Sequence, residues 1–529
     1  MAKKSGGWLD TLERVGNKLP DASTLFVIGA LIVIGLSQIG AMGGWTVQPV
    51  QPETVVAADG SVSMQLQPKG DPLKVVGLLQ PDSVAWIFTK MVENFIKFPP
   101  LGVVLVGMLG IGVAERTGLI AALLKAFVAV VPPRFLTPAM VFLGVMSSMG
   151  IDAGYIVLPP LAMALYRSVG RSPIVGLAAV FSGVAAGFNA NLFITGLDPM
   201  LANLTTIGAQ VVNPDYKVSP TCNWYFMIGS TIVITLTGWF ITNRFVEPRF
   251  KGKPEDEGGP PTGVEDFETV RKLSAEERKG LSVAAMTMAL TLAAILAMIL
   301  VPGGPLNGKG DHFDRWVEAI VPMILLLFLV PGFAYGFSVK TLQSEKDAAR
   351  MMTESMAAMA PIIVLAFFAS QFIAFFNQSN LGQMLAMWGG QSLAQAQMPP
   401  MLLMATFVVV TMLFNLFVGS MSAKYTLFAP IFVPMFMLVG ISPELTQAAY
   451  RIGDSVTNII TPLNAYLVII LVAMRRYVPK AGMGTLVSTM LPYSIGFTIM
   501  WTLMLMAWMA SGVPLGPDGP LTYSEAVAK

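Results

Sequence analysis

The sequence predicts an all-α integral membrane protein with about nine transmembrane helices, two re-entrant hairpins and an inverted structural repeat with broken helices. Three observations carry that prediction. The 529 residues are 54% hydrophobic and only 12% charged, about half the charge of an ordinary soluble chain. Several apolar runs reach about 20 residues, the length that spans a hydrocarbon core of about 30 Å. Finally, residues 151–183 and 421–453 align without a gap, and each segment leads into a polar interruption.

Apolar runs place crossings at about 24–44, 95–132, 173–207, 222–244, 283–303, 317–337, 359–396, 443–475 and 484–512. The first lies too far in, and runs too long, for an ordinary secretory leader. Two further apolar stretches, 136–166 and 399–440, are broken halfway by the polar tips "SSMGIDAGY" and "GSMSAKY". They read as hairpins that enter and leave on one side, because irregular backbone at membrane depth is tolerated only inside protein or beside a cavity. The chain then divides into an N-terminal helix and loop (1–94), a first repeat (95–244), a connector with two helices (245–358), a second repeat (359–475) and a C-terminal helix and tail (476–529).

Basic residues assign the sides. With the N-terminus cytoplasmic, 21 Lys and Arg fall in cytoplasmic segments, including eight between Arg244 and Lys279, against six outside. The C-terminus is then periplasmic, and reversing either hairpin puts basic residues on the wrong face.

The aligned segments share Ala153/Ala423, Tyr155/Tyr425, Pro160/Pro430, Gly170/Gly440, Pro173/Pro443, Ala179/Ala449 and Gly183/Gly453. In this topology the first copy starts outside and the second inside, so the repeat is inverted. Paired, interrupted segments in inverted halves point to a secondary transporter's binding site. "GFNANLFITGLDPM" breaks the first copy and "GDSVTNIITPLN" the second, where Pro462 removes a helix hydrogen bond. Amides and carbonyls freed near the membrane centre can face an anion or a cation.

A charge at a helix centre costs about 2.5–3.5 kcal/mol on insertion scales, which singles out Arg451 and Asp454. Three residues apart, they share a helical face. They form either a structural ion pair or a site where Arg451 receives a substrate carboxylate while Asp454 orients it or carries a proton. Asp198 either takes up a proton or caps the helix that begins at Pro199. Lys424 either snorkels to the interface or attracts an anion. Tyr155 and Tyr425, matched at the two tips, are expected to line the site rather than join an aromatic belt. Asn189, Asn191, Asn458 and Asn464 can hydrogen-bond an ion or substrate, or hold helices together.

Other chemistry is narrowed by composition. His312, in a polar connection, is the only histidine and Cys222 the only cysteine. An internal disulfide, a cysteine metal cluster and, within the membrane, catalysis of the HExxH or Ser-His type are therefore excluded. A net charge of +2 gives no reason to expect nucleic acid. No cofactor is expected beyond a proton or sodium as coupling ion, with sodium the one possible metal. A channel, and an enzyme using Asp198 with Asp454, are the readings from other classes.

The run "GSMSAKY…VGISPEL…AYRIGDSVTNIITPLNAY", with "FPPLGVVLVGMLGIGVAERTGLI" and "DAGYIVLPPLA", closely resembles the aminobenzoyl-glutamate transporter (AbgT) family over nearly the whole chain. The resemblance implies a bowl-shaped homodimer of the bacterial inner membrane, with nine membrane helices and two hairpins per subunit. It also implies ion-driven transport of p-aminobenzoyl-glutamate or export of sulfonamide antimetabolites; a di- or tricarboxylate transporter of related architecture is the alternative. Positions matching residues important in the family are Asp198, Asn415, Ser422, Tyr425, Pro443, Arg451, Asp454 and Pro462. The family usually has Trp where this chain has Tyr425.

Overall fold

A computed structural model describes residues 22–56, 62–68, 70–150, 153–262, 273–461, 464 and 466–523. Almost every described element is a helix. Seven helical segments are long and apolar enough to cross a membrane, running 23–42, 81–116, 224–249, 275–300, 320–338, 360–378 and 483–511. The broken segments 173–209 and 443–475 supply the other two expected crossings.

The order of elements reveals a longer repeat than the aligned residues do. The first half runs through α1 (Ala22–Met42), α2 (Pro81–Ile96), α3 (Pro99–Arg116) and α4 (Leu119–Val130). A hairpin, α5 (Leu136–Met146) and α6 (Ala153–Ser168), follows, then a broken helix, α7 (Pro173–Phe181) and α8 (Leu197–Ala209), and then α9 (Trp224–Ile241). After the linking helix α10 (Ala275–Leu300), the same series returns. It comprises α11 (Ile320–Ser338), α12 (Glu345–Ala358), α13 (Ala360–Gln378), α14 (Leu381–Ala396), the hairpin α15 (Pro400–Asn415) and α16 (Met421–Met437), the broken helix α17 (Pro443–Val456) and α18 (Tyr466–Arg475), and α19 (Met483–Ser511). The halves pack crosswise: α1 lies on α13 and α11 on α3, while α8 lies on α16 and α18 on α6.

Two expected spans differ in their boundaries. The stretch 95–132 is not one span: α3 turns at Thr117–Gly118 into the separate helix α4. Likewise 359–396 is two helices, joined at Asn380 with a left-handed φ of 62°. The charged helices α2 and α12 have no counterpart in the expected layout, because a search for apolar runs passes over them. In α2, Glu93 pairs with Lys90 and Lys97; α12 starts with a Ser344–Asp347 capping box, which satisfies two orphan amides. The loop after α1 also carries an antiparallel ribbon, Val50–Val56 against Val62–Pro68.

Local chemistry explains why the broken helices form where they do. Each hairpin ends on a glycine with positive φ, Gly170 at 70° and Gly440 at 82°, a conformation that favours glycine. Pro173 and Pro443 then begin their helices, where a missing N–H is harmless. One helical turn later than mid-length, Gly183 and Gly453 each press on the first arm of their own hairpin. A Cβ on Gly183 would strike the Val141 carbonyl, and one on Gly453 the Val408 carbonyl. α7 continues through a wide π turn, Ser182–Ala186, and stops at Gly187; α17 stops at the equivalent residue, Thr457.

Both turns before the broken helices are clasped by the segment that follows the last span of their own half. The Ser172 hydroxyl donates to the Gly258 carbonyl at 2.5 Å, with Arg171–Glu247 and Arg167–Glu255 pairs at 2.9 Å alongside. The equivalent Ser442 hydroxyl donates to the Pro520 carbonyl at 2.6 Å, and the Tyr523 amide to the Gly440 carbonyl at 2.9 Å. The helical segment 224–249 joins the two clasps. At its start Phe226 bonds to Leu515; at its end Glu247 holds Arg171. Its 26 residues measure about 39 Å at 1.5 Å per residue. The two equivalent turns therefore lie at opposite faces of the molecule, as an inverted repeat requires.

Candidate functional site

The two helix interruptions meet in the protein interior and bring together four charged side chains. Arg451 is 2% exposed, Asp198 8%, Asp454 1% and Lys424 0%. The expected Arg451–Asp454 pair does not form. Arg451 Nη1 instead meets Asp198 Oδ1 at 2.6 Å, and Asp454 Oδ1 meets Lys424 Nζ at 2.7 Å. The reason is topological. Asp198 enters from the first repeat at the start of α8, and Lys424 from the second hairpin, so each charge on α17 finds a partner from another element. Among the described residues no group of three or more His, Cys, Asp or Glu side chains converges.

Asp198 is not the cap of a helix starting at Pro199. α8 begins at Leu197 and the cap position is Gly196. The second oxygen of Asp198 takes the Thr195 amide at 2.7 Å and the Thr195 hydroxyl at 2.9 Å, fixing the end of the break. Lys424 does not snorkel: besides Asp454 it donates to the side-chain oxygen of Asn415. Asn415 donates in turn to the Asp454 carbonyl, the Thr457 hydroxyl and Asn458 Oδ1, at 2.7–2.8 Å.

Asn189 ties the two pairs together. Its Nδ2 reaches Asp454 Oδ2 at 3.0 Å and the Ser455 hydroxyl at 2.8 Å, while its carbonyl receives Arg451 Nη2 at 3.1 Å. The other asparagines brace the breaks: Asn191 donates to Ser148 at the first hairpin tip at 2.8 Å. Asn458 donates to the Ala185 carbonyl at 3.3 Å, and Asn464 donates to the Asn458 carbonyl and accepts the Tyr466 amide. Pro443 is the first residue of α17. Pro462 lies outside the described residues.

Beside this network is a cavity of about 220 Å³ lined by Val104, Met108, Ile111, Thr195, Met200 and Ser422, among others. Ser148 and Met421, from the two hairpin tips, also reach it. Thr195 therefore separates the cavity from the Asp198–Arg451 pair. Tyr425 does not line this space. It is 1% exposed, packs on Tyr450 with ring centroids 4.2 Å apart, and shares a 2.7 Å hydrogen bond with Thr205. Tyr155 is also inside, stacked on Tyr466 at 4.0 Å. Neither tyrosine belongs to a membrane belt. His312 is exposed, as its polar surroundings predict.

Sequence reasoning did not find the roles of Thr195, which closes the break onto Asp198, and of Ser455, whose partner Asn189 lies on another chain segment. Lys424 was detectable as a cation inside the otherwise apolar "MSAKYTLFAPIFVPMF", but not its partner.

Comparison with known proteins decides what this architecture belongs to. Residues 7–523 match the family described as "AbgT putative transporter family". The chain belongs to the AbgT family. It is 34% identical to the p-aminobenzoyl-glutamate transport protein of Escherichia coli (strain K12), over 98% of this chain and 97% of that one. The solved YdaH transporter of Alcanivorax borkumensis, whose topology is described as unusual, superposes with a TM-score of 0.84. It is 36% identical over 94% of this chain and all of its own. MtrF of Neisseria gonorrhoeae, assigned to a class of antimetabolite efflux pumps, gives a TM-score of 0.85 at 39% identity, over 97% of this chain and all of its own. AbgT proteins are membrane transporters, which removes the enzyme reading.

Proposed function

We propose that this AbgT chain is an ion-coupled secondary transporter of p-aminobenzoyl-glutamate or related aromatic carboxylates, with export of sulfonamide antimetabolites through the same path. The observation that carries the reading is the placement of a buried, charge-matched network directly behind a mostly apolar cavity built from both hairpin tips. An aromatic ring suits the Val104, Met108 and Ile111 wall, and a carboxylate suits the guanidinium behind Thr195. Asp198 occupies Arg451 as a substrate carboxylate would, so loading exchanges one anion for the other on the same fork. The apolar wall favours an aromatic carboxylate over a small aliphatic di- or tricarboxylate such as citrate, which has no apolar face to set against it.

The working protein is proposed to be a homodimer in the bacterial inner membrane, with its N-terminus cytoplasmic and C-terminus periplasmic, a proton or sodium as coupling ion and no other cofactor. Labelled p-aminobenzoyl-glutamate uptake into proteoliposomes tests this, with pH, sodium and voltage gradients imposed separately. Uptake should rise under one ion gradient, compete with sulfonamides and ignore citrate. Equal flux with and without every gradient indicates a channel; competition by citrate alone indicates the di- or tricarboxylate alternative.

A further inference from the structure

The internal repeat provides a built-in comparison for every residue of α17. Ala448, Ala449 and Gly453 match Ala178, Ala179 and Gly183, so the packing positions coincide. The polar positions do not. Glu444 stands where the first copy has Ile174, Gln447 where it has Leu177, Arg451 where it has Phe181, and Asp454 where it has Val184. The fold accommodates apolar side chains at all four places, so the stripe of polar groups along α17 is not required by architecture. Three of its members belong to, or adjoin, the site already described. Glu444 does not; it lies seven residues, or about 10 Å of helix rise, from Arg451, beside the Ser442 clasp.

Glu444 is 2% exposed. Both its oxygens face the Tyr216 hydroxyl at 3.1 Å, and it has no ion pair among the described residues. The buried cations of the site are committed, Arg451 on α17 to Asp198 and Lys424 on α16 to Asp454. The other titratable groups around Glu444 bring no positive charge: Tyr216 and Cys222 from the α8–α9 connection, Tyr425 from α16, and Asp518 and Tyr523 from the C-terminal segment. A buried carboxylate without a cation is costly as an anion and far less so as an acid.

A second observation points to water reaching this region. Gln447 takes Asn223 and Cys222 on its side-chain oxygen, while its Nε2, Asn223 Oδ1, Arg451 Nε and Asn189 Oδ1 are buried with no hydrogen-bond partner among the described residues. Buried polar atoms of this kind are normally satisfied by ordered water. They follow the stripe from Glu444 to the charged pairs.

We propose that Glu444 is a proton-binding site of the transport cycle, loaded from the membrane face clasped by residues 512–523 and linked by hydrated polar groups to Arg451 and Asp198. The carboxylate takes one proton from solvent water to become the acid, and returns it to water on release; the buried cluster passes from one net negative charge to none. This rests on the ion-coupled reading above and selects the proton within it.

The test compares wild type with Glu444→Gln, using Asp311→Asn, an exposed acid in the α10–α11 connection, as control. Infrared difference spectra of the purified proteins between acidic and alkaline buffer should contain a protonated-carboxyl band in wild type and the control that is missing in Glu444→Gln. Tyr216→Phe, which keeps the acid and removes its partner, should move that band without erasing it. In proteoliposomes the pH-gradient stimulation of p-aminobenzoyl-glutamate uptake should fall at least tenfold in Glu444→Gln and be unchanged in Asp311→Asn. Retained stimulation in Glu444→Gln, or a wild-type band that does not respond to pH, overturns the site. A pH-sensitive Glu444 band in a protein that moves no p-aminobenzoyl-glutamate counts against the substrate reading instead. Monodisperse elution of every variant establishes that it is folded.

Discussion

At the scale of single residues, Lys424 and Asp454 show how this protein holds charge inside a membrane. Each is at most 1% exposed and they stand 2.7 Å apart. Removing one partner of such a pair costs about 3–5 kcal/mol, because the other is left charged and unpaired. Lys424→Met should therefore lower the melting temperature sharply, and Lys424→Met with Asp454→Asn should recover most of the loss; an equally unstable double variant contradicts the pairing. Tyr425 gives a second expectation. Its ring is enclosed and its hydroxyl bonded to Thr205, so Tyr425→Phe should cost about 1 kcal/mol. Tyr425→Trp, although it restores the residue usual in the family, should overpack the site by about 1–3 kcal/mol, read in the same melts. Arg451, Asp454 and Asp198 were legible in the sequence because charge is rare at membrane depth. Their pairing was not. The i, i+3 rule describes one continuous helix face, whereas Asp198 is 253 residues from Arg451 in the chain.

Secondary-structure elements were legible where they are uniformly apolar, and the two polar interruptions stood out for the same reason. Helices α2 and α12 were missed because their charged faces resemble surface loops when only long apolar runs are sought. The clasps were also invisible: Ser172 and Ser442 are simply residues before a proline, and their carbonyl partners belong to the Gly258 and Pro520 segments. Ser442→Ala should release the start of α17. Hydrogen exchange measured by mass spectrometry is expected to rise at residues 440–446 and 520–523, with no change at 170–176. A uniform rise across both turns contradicts independent clasps.

For the whole molecule, the gapless alignment of 151–183 with 421–453 disclosed the repeat, yet it understated its extent. The rest of each half preserves the order and crosswise packing of helices without preserving residues, since lipid-facing positions demand only that side chains be apolar. Opposite placement of the two clasps gives a direct expectation for sidedness. In a background lacking Cys222, Lys251→Cys and Asp518→Cys, both exposed, should react with a membrane-impermeant maleimide from opposite sides, position 251 from the cytoplasm. Labelling of both from one side is incompatible with the inverted arrangement.

The one-to-one matching of Arg451 with Asp198 and of Lys424 with Asp454 has an electrical meaning. Moving one elementary charge across a potential of 100 mV involves about 2.3 kcal/mol. Two cations and two anions displaced together sum to zero, so a rigid movement of this cluster does almost no electrical work. Membrane voltage can then act on the cycle only through the unpaired Glu444 carboxylate and through what is carried, the charges on the substrate and on the coupling ion. The paired machinery, although it holds four formal charges inside the membrane, is nearly blind to the field in which it sits.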